Sequence, residues 1–209
     1  MSITPATTPG GRARQVADAA IAVLADHGGR GLTHRAVDQA AGLPPGTTSN
    51  YARTREALLT LALTRIAELD ATEGAAGLYG SEISGGGVSG GGLAEGLAWM
   101  LHRMITDDGM RRRVRARFEL ALEATRRPDL RAAYDEMGRG FRTEAARLLA
   151  AAGSAHPERD AWTLIAWVEG TAFYALAGAG GAAVPSLGEL RAQVTSLLAS
   201  LCGDDAGAA

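Results

Sequence analysis

Lysine is absent: all 21 basic residues are arginine, which we read as a trace of genomic composition rather than of function. Cysteine is nearly absent as well. Cys202 stands alone, so no intrachain disulfide framework can form. Aromatic residues make up only 5% of the chain, and β-branched runs are scarce against a background of Ala, Leu and Arg, a balance that disfavours strands. The opening residues, Met1 to Gly11, contain no apolar core and read as a disordered arm of a cytoplasmic protein, not as a signal peptide. Ala161 to Ala183 is long enough for a membrane span, but it carries Glu169 near its middle and four glycines, and it has no basic C-terminal flank. It reads as a buried helix of a bundle, with no membrane as partner.

What is present suits a helical protein. Hydrophobic residues are 46% of 209, enough for a sizeable core in one large domain or in a small head on a larger body. The net charge of −2 conceals an asymmetry. From Arg12 to Arg55, six arginines face Asp18, Asp26 and Asp38, a balance of +3; the other 15 arginines face 20 acids, a balance of −5. A cationic head on an acidic body fits a phosphate-binding module whose second partner lies elsewhere.

Apolar periodicity predicts about nine helices and no sheet. The first spans Arg12 to His27 and is stopped by Gly28-Gly29-Arg30-Gly31. Thr33 caps a short second helix, His34 to Ala41, closed by Gly42. Pro45 suits the first position of a third, very short helix, Thr47 to Ala52. A fourth begins near Glu56. Residues 73–92, rich in Gly and Ser, read as a flexible loop unable to hold a helix. They are no phosphate cradle, because no strand precedes them and no Lys-Ser/Thr pair follows. Further helices are expected over Leu93 to Thr106, Met110 to Arg126, Pro128 to about Gly153 and Pro157 to Gly178. Ser186 and Glu189 form a capping-box pattern ahead of the last helix. In that helix Leu187, Leu190, Val194, Leu197 and Leu201 make an a/d seam that calls for a partner helix. Residues 204–209 are expected to fray.

The informative stretch is Leu32 to Leu59, LTHRAVDQAAGLPPGTTSNYARTREALL. Two short helices joined by a tight turn, the second with a polar face, can seat a helix in the major groove. Thr47, Thr48, Ser49, Asn50 and Tyr51 supply that face: Asn suits adenine, Thr a thymine methyl, Ser or Tyr a phosphate. The spaced elements Leu32-Thr33-His34-Arg35, Ala41-Gly42-Leu43, Gly46-Thr47 and Arg55-Glu56-Ala57-Leu58-Leu59 resemble the head of the TetR family of bacterial transcriptional regulators. Arg117-Phe118-Glu119-Leu120 through Arg127-Pro128-Asp129-Leu130 is similar to the body of many such regulators.

The resemblance implies an all-α chain: a three-helix helix-turn-helix head at 12–55 and an effector-binding, dimerising bundle at 56–203, paired into a homodimer through the last two helices with the seam Leu187, Leu190, Val194, Leu197 and Leu201 central to the interface. It implies double-stranded operator DNA as partner, with Thr33 and Arg35 on phosphate, Pro45, Gly46, Thr47, Ser49 and Asn50 facing bases or sugar, and Tyr51 and Arg55 on phosphate beyond them. The sequence departs from the family pattern where Thr48-Ser49 replace Leu-Tyr, Ala52 replaces an aromatic and Pro44 replaces a capping Ser, so the third helix is expected to lack a side-chain cap and Tyr51 has packing open to it as well. The family also implies a small-molecule pocket, for which Trp99, Met100, Arg103, Met104, Phe118, Leu122, Met137, Phe141, Trp167 and Glu169 are candidates. Three fates are open to Glu169: an ion pair with an arginine such as Arg103 or Arg191, effector contact, or solvent at a dimer edge. The run Arg111 to Arg117 reads as a solvated helix face, and Asp107-Asp108 as capping groups. The four histidines have no metal-ligand spacing, no nucleophile–base–acid set is present, and no metal, cofactor or enzymatic activity is expected.

Overall fold

The computed structural model describes residues 9–79, 90–181 and 183–203. They form α1 (Pro9–Gly31), α2 (His34–Ala40), a 3₁₀ turn (Thr48–Asn50), α3 (Arg55–Tyr79), α4 (Gly90–Thr106), α5 (Asp108–Ala124), α6 (Pro128–Ala151), α7 (Pro157–Leu176) and α8 (Leu187–Cys202). Among the described residues there is no strand, and no helix is long and apolar enough to cross a membrane.

Several boundaries differ from the sequence reading. Residues 9–11, expected in a disordered arm, open α1, and helical hydrogen bonding resumes after a break at Gly28 to include Gly29–Gly31. The 73–92 stretch was expected to exclude helix, yet α3 runs to Tyr79 and α4 starts at Gly90. Extending an existing helix fixes one residue per hydrogen bond gained, so Ala71, Ala75, Ala76 and Leu78 carry α3 past Gly74 and Gly77. The rest of that loop reading lies outside the described residues, as do residues 1–8 and the tail from 204.

Two compact units emerge. The first takes the chain up to Leu69 and again Arg112–Tyr134; the second takes Asp70–Arg111 and the chain from Asp135. In the first, α2 packs on α1 and the 3₁₀ turn packs on α2. Val16, Leu24, Val37, Leu58, Leu59 and Ile66 are fully buried there. Each contributes roughly 1.5–3 kcal/mol by leaving water.

In the second unit α4 packs along α8 and against α7. Leu101, Leu149, Leu190 and Val194 are fully buried in it. Two members of the seam expected to bind a second chain, Leu190 and Val194, are therefore spent inside one chain, at 0% exposure. Leu187, Leu197 and Leu201 are half-buried. The partner helix that the a/d spacing called for is α4, because an apolar stripe does not specify whose surface covers it. The capping box at α8 is present: the Ser186 hydroxyl accepts the Glu189 N–H at 3.3 Å, and the Ser186 N–H donates to Glu189 at 2.8 Å.

The arginine run on α5 is not uniformly solvated. Arg111, Arg112 and Arg115 are exposed, but Arg113 and Arg117, one turn apart, are buried with Val114 and Ala116. Long arginine stems can cover apolar surface, so charge alone misjudged this face. Asp107 caps α5 as expected, accepting the Met110 N–H at 2.9 Å.

Candidate nucleic-acid interface

The head is assembled from short-range backbone geometry and one imported carboxylate. Thr33, in extended conformation, caps α2 by accepting the Ala36 N–H on its hydroxyl at 3.1 Å. At the other end Gly42 takes φ +64°, and the N–H groups of Gly42 and Leu43 return to the carbonyls of Gln39 and Asp38 at 3.1 and 2.9 Å. This is a Schellman closure, which turns the chain sharply out of α2. Pro44 to Thr47 then form a tight turn: the Thr47 N–H donates to the Pro44 carbonyl at 3.2 Å, with Pro45 second and Gly46 third at φ +88°. Proline followed by a positive-φ glycine is the sequence that a type II turn requires.

The expected helix Thr47 to Ala52 is a single 3₁₀ turn, Thr48–Asn50. Pro45, expected to start it, sits in the preceding turn instead. Threonine, serine and asparagine form helices poorly, and the first helical turn is the costly one. Ala52 is already buried, and the Thr54 hydroxyl begins capping α3 by accepting the Ala57 N–H at 3.1 Å. Too few residues remain to propagate a helix.

The missing local cap is supplied by Asp38 of α2. One carboxylate oxygen accepts the Gly46 N–H at 2.7 Å; the other accepts the Thr48 N–H at 2.7 Å and the Thr48 hydroxyl at 2.6 Å. Asp38 is 3% exposed and Thr48 is 0% exposed. Burial pushes the Asp38 carboxyl up. The Thr48 hydroxyl, the N–H groups of Thr48 and Gly46, and the nearby His34 charge outweigh that and hold its pKa below the ordinary aspartate value. Thr48, expected on the polar outer face, is an internal anchor. His34 joins α2 to the far end of the turn, with Nε2 at 2.6 Å from the Ala52 carbonyl, so Nε2 carries the proton. Gln15 ties α1 to the end of α2 through the Ala41 carbonyl at 2.9 Å.

Anchored this way, the turn leaves Pro45, Gly46, Ser49, Asn50 and Tyr51 exposed, and Thr33 at the cap of α2 and Arg35 within it are exposed as well. Thr47 is half-buried, its hydroxyl donating to the Pro44 carbonyl at 2.6 Å. Arg55 is half-buried and already engaged: Nη1 donates to the Leu32 carbonyl at 2.5 Å and Nη2 to that of Gly29. Sequence reasoning overlooked Asp38 and His34 as positioning groups. The available signal was a lone acid in an alanine-rich helix of a cationic head, ahead of a turn that lacked its own cap.

The chain matches the family description "tetracyclin repressor-like, C-terminal domain" over residues 89–203, more than half its length. It belongs to the TetR family. A TetR-family member from Streptomyces coelicolor A3 is 30% identical, with a TM-score of 0.68 over 89% of this chain and 97% of that one. The multidrug binding protein EbrR, solved with imidazole, is also 30% identical, with a TM-score of 0.63 over 89% and 94%. A transcriptional regulator from Rhodococcus sp. Rha1 shares the fold at 22% identity, TM-score 0.71, over 90% and 95%. No curated protein matches the chain by sequence.

The effector candidates of this TetR-family regulator are divided between the two units. Phe118 and Leu122, on α5, lie in the first; the other eight lie in the second. Leu122 is exposed. On α4 the Arg103 guanidinium stands 5.0 Å above the exposed Trp99 ring and meets Asp107 at 3.4 Å. Met104 is buried, while Met100, Met137, Phe141, Trp167 and Glu169 are half-buried. Arg191, the other arginine considered for Glu169, meets Glu95 at 3.2 Å.

Proposed function

We propose that this transcriptional regulator is a repressor that binds double-stranded operator DNA as a homodimer in the cytoplasm and leaves it when a small molecule binds the body. The observation that carries the reading is the Asp38-anchored turn. A buried carboxylate is spent on holding a short polar segment, Ser49-Asn50-Tyr51, at the surface beside Arg35. Asn50 would read a base edge and Ser49 a base or sugar; Pro45, Gly46 and Thr47 would lie against base or sugar. Arg35, Thr33 and Tyr51 would hold phosphate. Arg55 would act mainly by bracing the carbonyls of Gly29 and Leu32.

The dimer would form through α7 and α8, on a face other than the leucine seam. Trp162 is 67% and Phe173 49% exposed, three helical turns apart on α7, with exposed Ala166 and Gly170 between them. Such an apolar stripe favours burial against a second copy. Two heads would then meet successive major-groove faces about 34–36 Å apart. An effector binding better to another head spacing would release DNA through a coupling of roughly 1–3 kcal/mol. Trp99, Trp167, Phe141 and Glu169 suit a partly aromatic ligand, and EbrR, solved with proflavin and with ethidium at 28% identity, is a relative that binds such molecules.

The deciding experiment is a gel shift on DNA flanking the chain's own coding region, at stated salt. Wild type should shift it, while Asn50→Ala and Arg35→Ala stay folded and bind at least about tenfold more weakly. Retained binding by both variants would remove the site assignment. Light scattering should give a dimer mass that Trp162→Asp converts to a monomer mass.

A further inference from the structure

The paired glycines near the end of α1 have a reason that lies in α5. Gly28 adopts φ +67°, ψ −178°, which breaks α1 and frees the next N–H from the helical ladder. That N–H, on Gly29, donates to Glu119 Oε2 at 2.9 Å. A Cβ on Gly28 would lie 3.2 Å from the same oxygen, and a Cβ on Gly29 would lie 2.7 Å from Glu123 Oε1. Only glycine lets both carboxylates come this close to the backbone. On the acceptor side, Arg55 holds the carbonyls of Gly29 and Leu32, and its Nη2 lies 3.8 Å from Glu123. Glu123 also accepts from Arg127 Nε at 2.9 Å, and Arg127 bonds Glu56 in the first turn of α3. The end of α1, the start of α3 and the last turns of α5 are thus joined, all within the first compact unit.

We propose that Glu119 and Glu123 are positioning residues for DNA binding: they grip the Gly28–Gly29 break and so fix the direction in which α2 and the recognition turn leave α1. Four residues separate Gly29 from the start of α2, so a torsional change at a glycine pair swings α2, Asp38 and the turn that Asp38 holds. Without the two carboxylates, the Gly29 N–H loses its Glu119 acceptor, Arg55 and Arg127 lose their shared counter-charge, and the joint samples other directions. The proposal rests on the DNA-binding reading above.

The test uses the full-length chain. Hydrogen–deuterium exchange over residues 28–33 reads the joint without DNA. Fluorescence anisotropy on a duplex from upstream of the coding region reads its consequence. Glu119→Ala and Glu123→Ala should keep wild-type far-UV helicity, exchange faster at residues 29–32 and bind DNA about five- to tenfold more weakly. Glu119→Gln, whose amide oxygen can still accept from Gly29, should regain most of the affinity. Wild-type exchange in the alanine variants overturns the proposal, and so does faster exchange with unchanged affinity. Should an alanine variant fail to fold, Glu123→Gln, nearly identical in shape but uncharged, decides the same way. Loss of all DNA binding by the wild-type chain refutes the DNA reading and the proposal together; wild-type binding with unaffected variants refutes the proposal alone.

Discussion

The start of α8 and the turn that leads into Thr48–Asn50 face the same difficulty, orphan backbone N–H groups at the head of a helical segment, and meet it differently. At α8 the remedy is local: Ser186 and Glu189 satisfy each other's N–H groups within four residues. At the Thr48–Asn50 turn it is imported: Asp38, eight to ten residues upstream on α2, accepts from Gly46 and Thr48. A local cap stabilises one helix end. An imported cap also welds two elements into one body, and a polar segment of three residues needs that to present a fixed surface.

The comparison breaks most visibly at Asp38. Asp38→Ala strands two N–H groups and a buried hydroxyl, and should cost about 2–4 kcal/mol in urea unfolding and abolish operator binding. A variant that binds normally would make the imported cap no different from a local one.

Acid sharpens the same point. The folded Asp38 pKa lies below its unfolded value, so its stabilisation is present above the ordinary carboxylate range and fades as pH falls through the depressed folded value. Asp38→Asn should therefore flatten part of the loss of stability below about pH 4, seen in melting temperature against pH. An unchanged profile would mean that Asp38 contributes nothing to acid lability. The smallest effect belongs to the local cap: Ser186→Ala should cost about 1 kcal/mol or less and leave DNA affinity untouched.

The long helices, the short α2 and the turn that follows it were legible because their determinants are short-range. Apolar residues three and four apart, Thr33 before α2, Gly42 after it and the Pro45-Gly46 turn all act within one or two helical turns. The third helix was misjudged because polar spacing says nothing of nucleation in so short a run. Thr48 was placed outside because its chemistry suits a groove, and it lies inside because Asp38 needs a donor there. Leu190 and Val194 were rightly read as buried and wrongly paired, since periodicity gives the buried stripe and not the surface that covers it.

Taken alone, the order of residues determined which segments coil, where most of them stop and which short stretch carries groups suited to base edges, because each depends on neighbours a few bonds away. The tertiary structure alone decided that Asp38 locks the turn, that α4 covers α8 and that Glu119 and Glu123 hold the glycine joint. Those outcomes depend on which distant side chain arrives within hydrogen-bonding or van der Waals range, and that is set only when the helices pack.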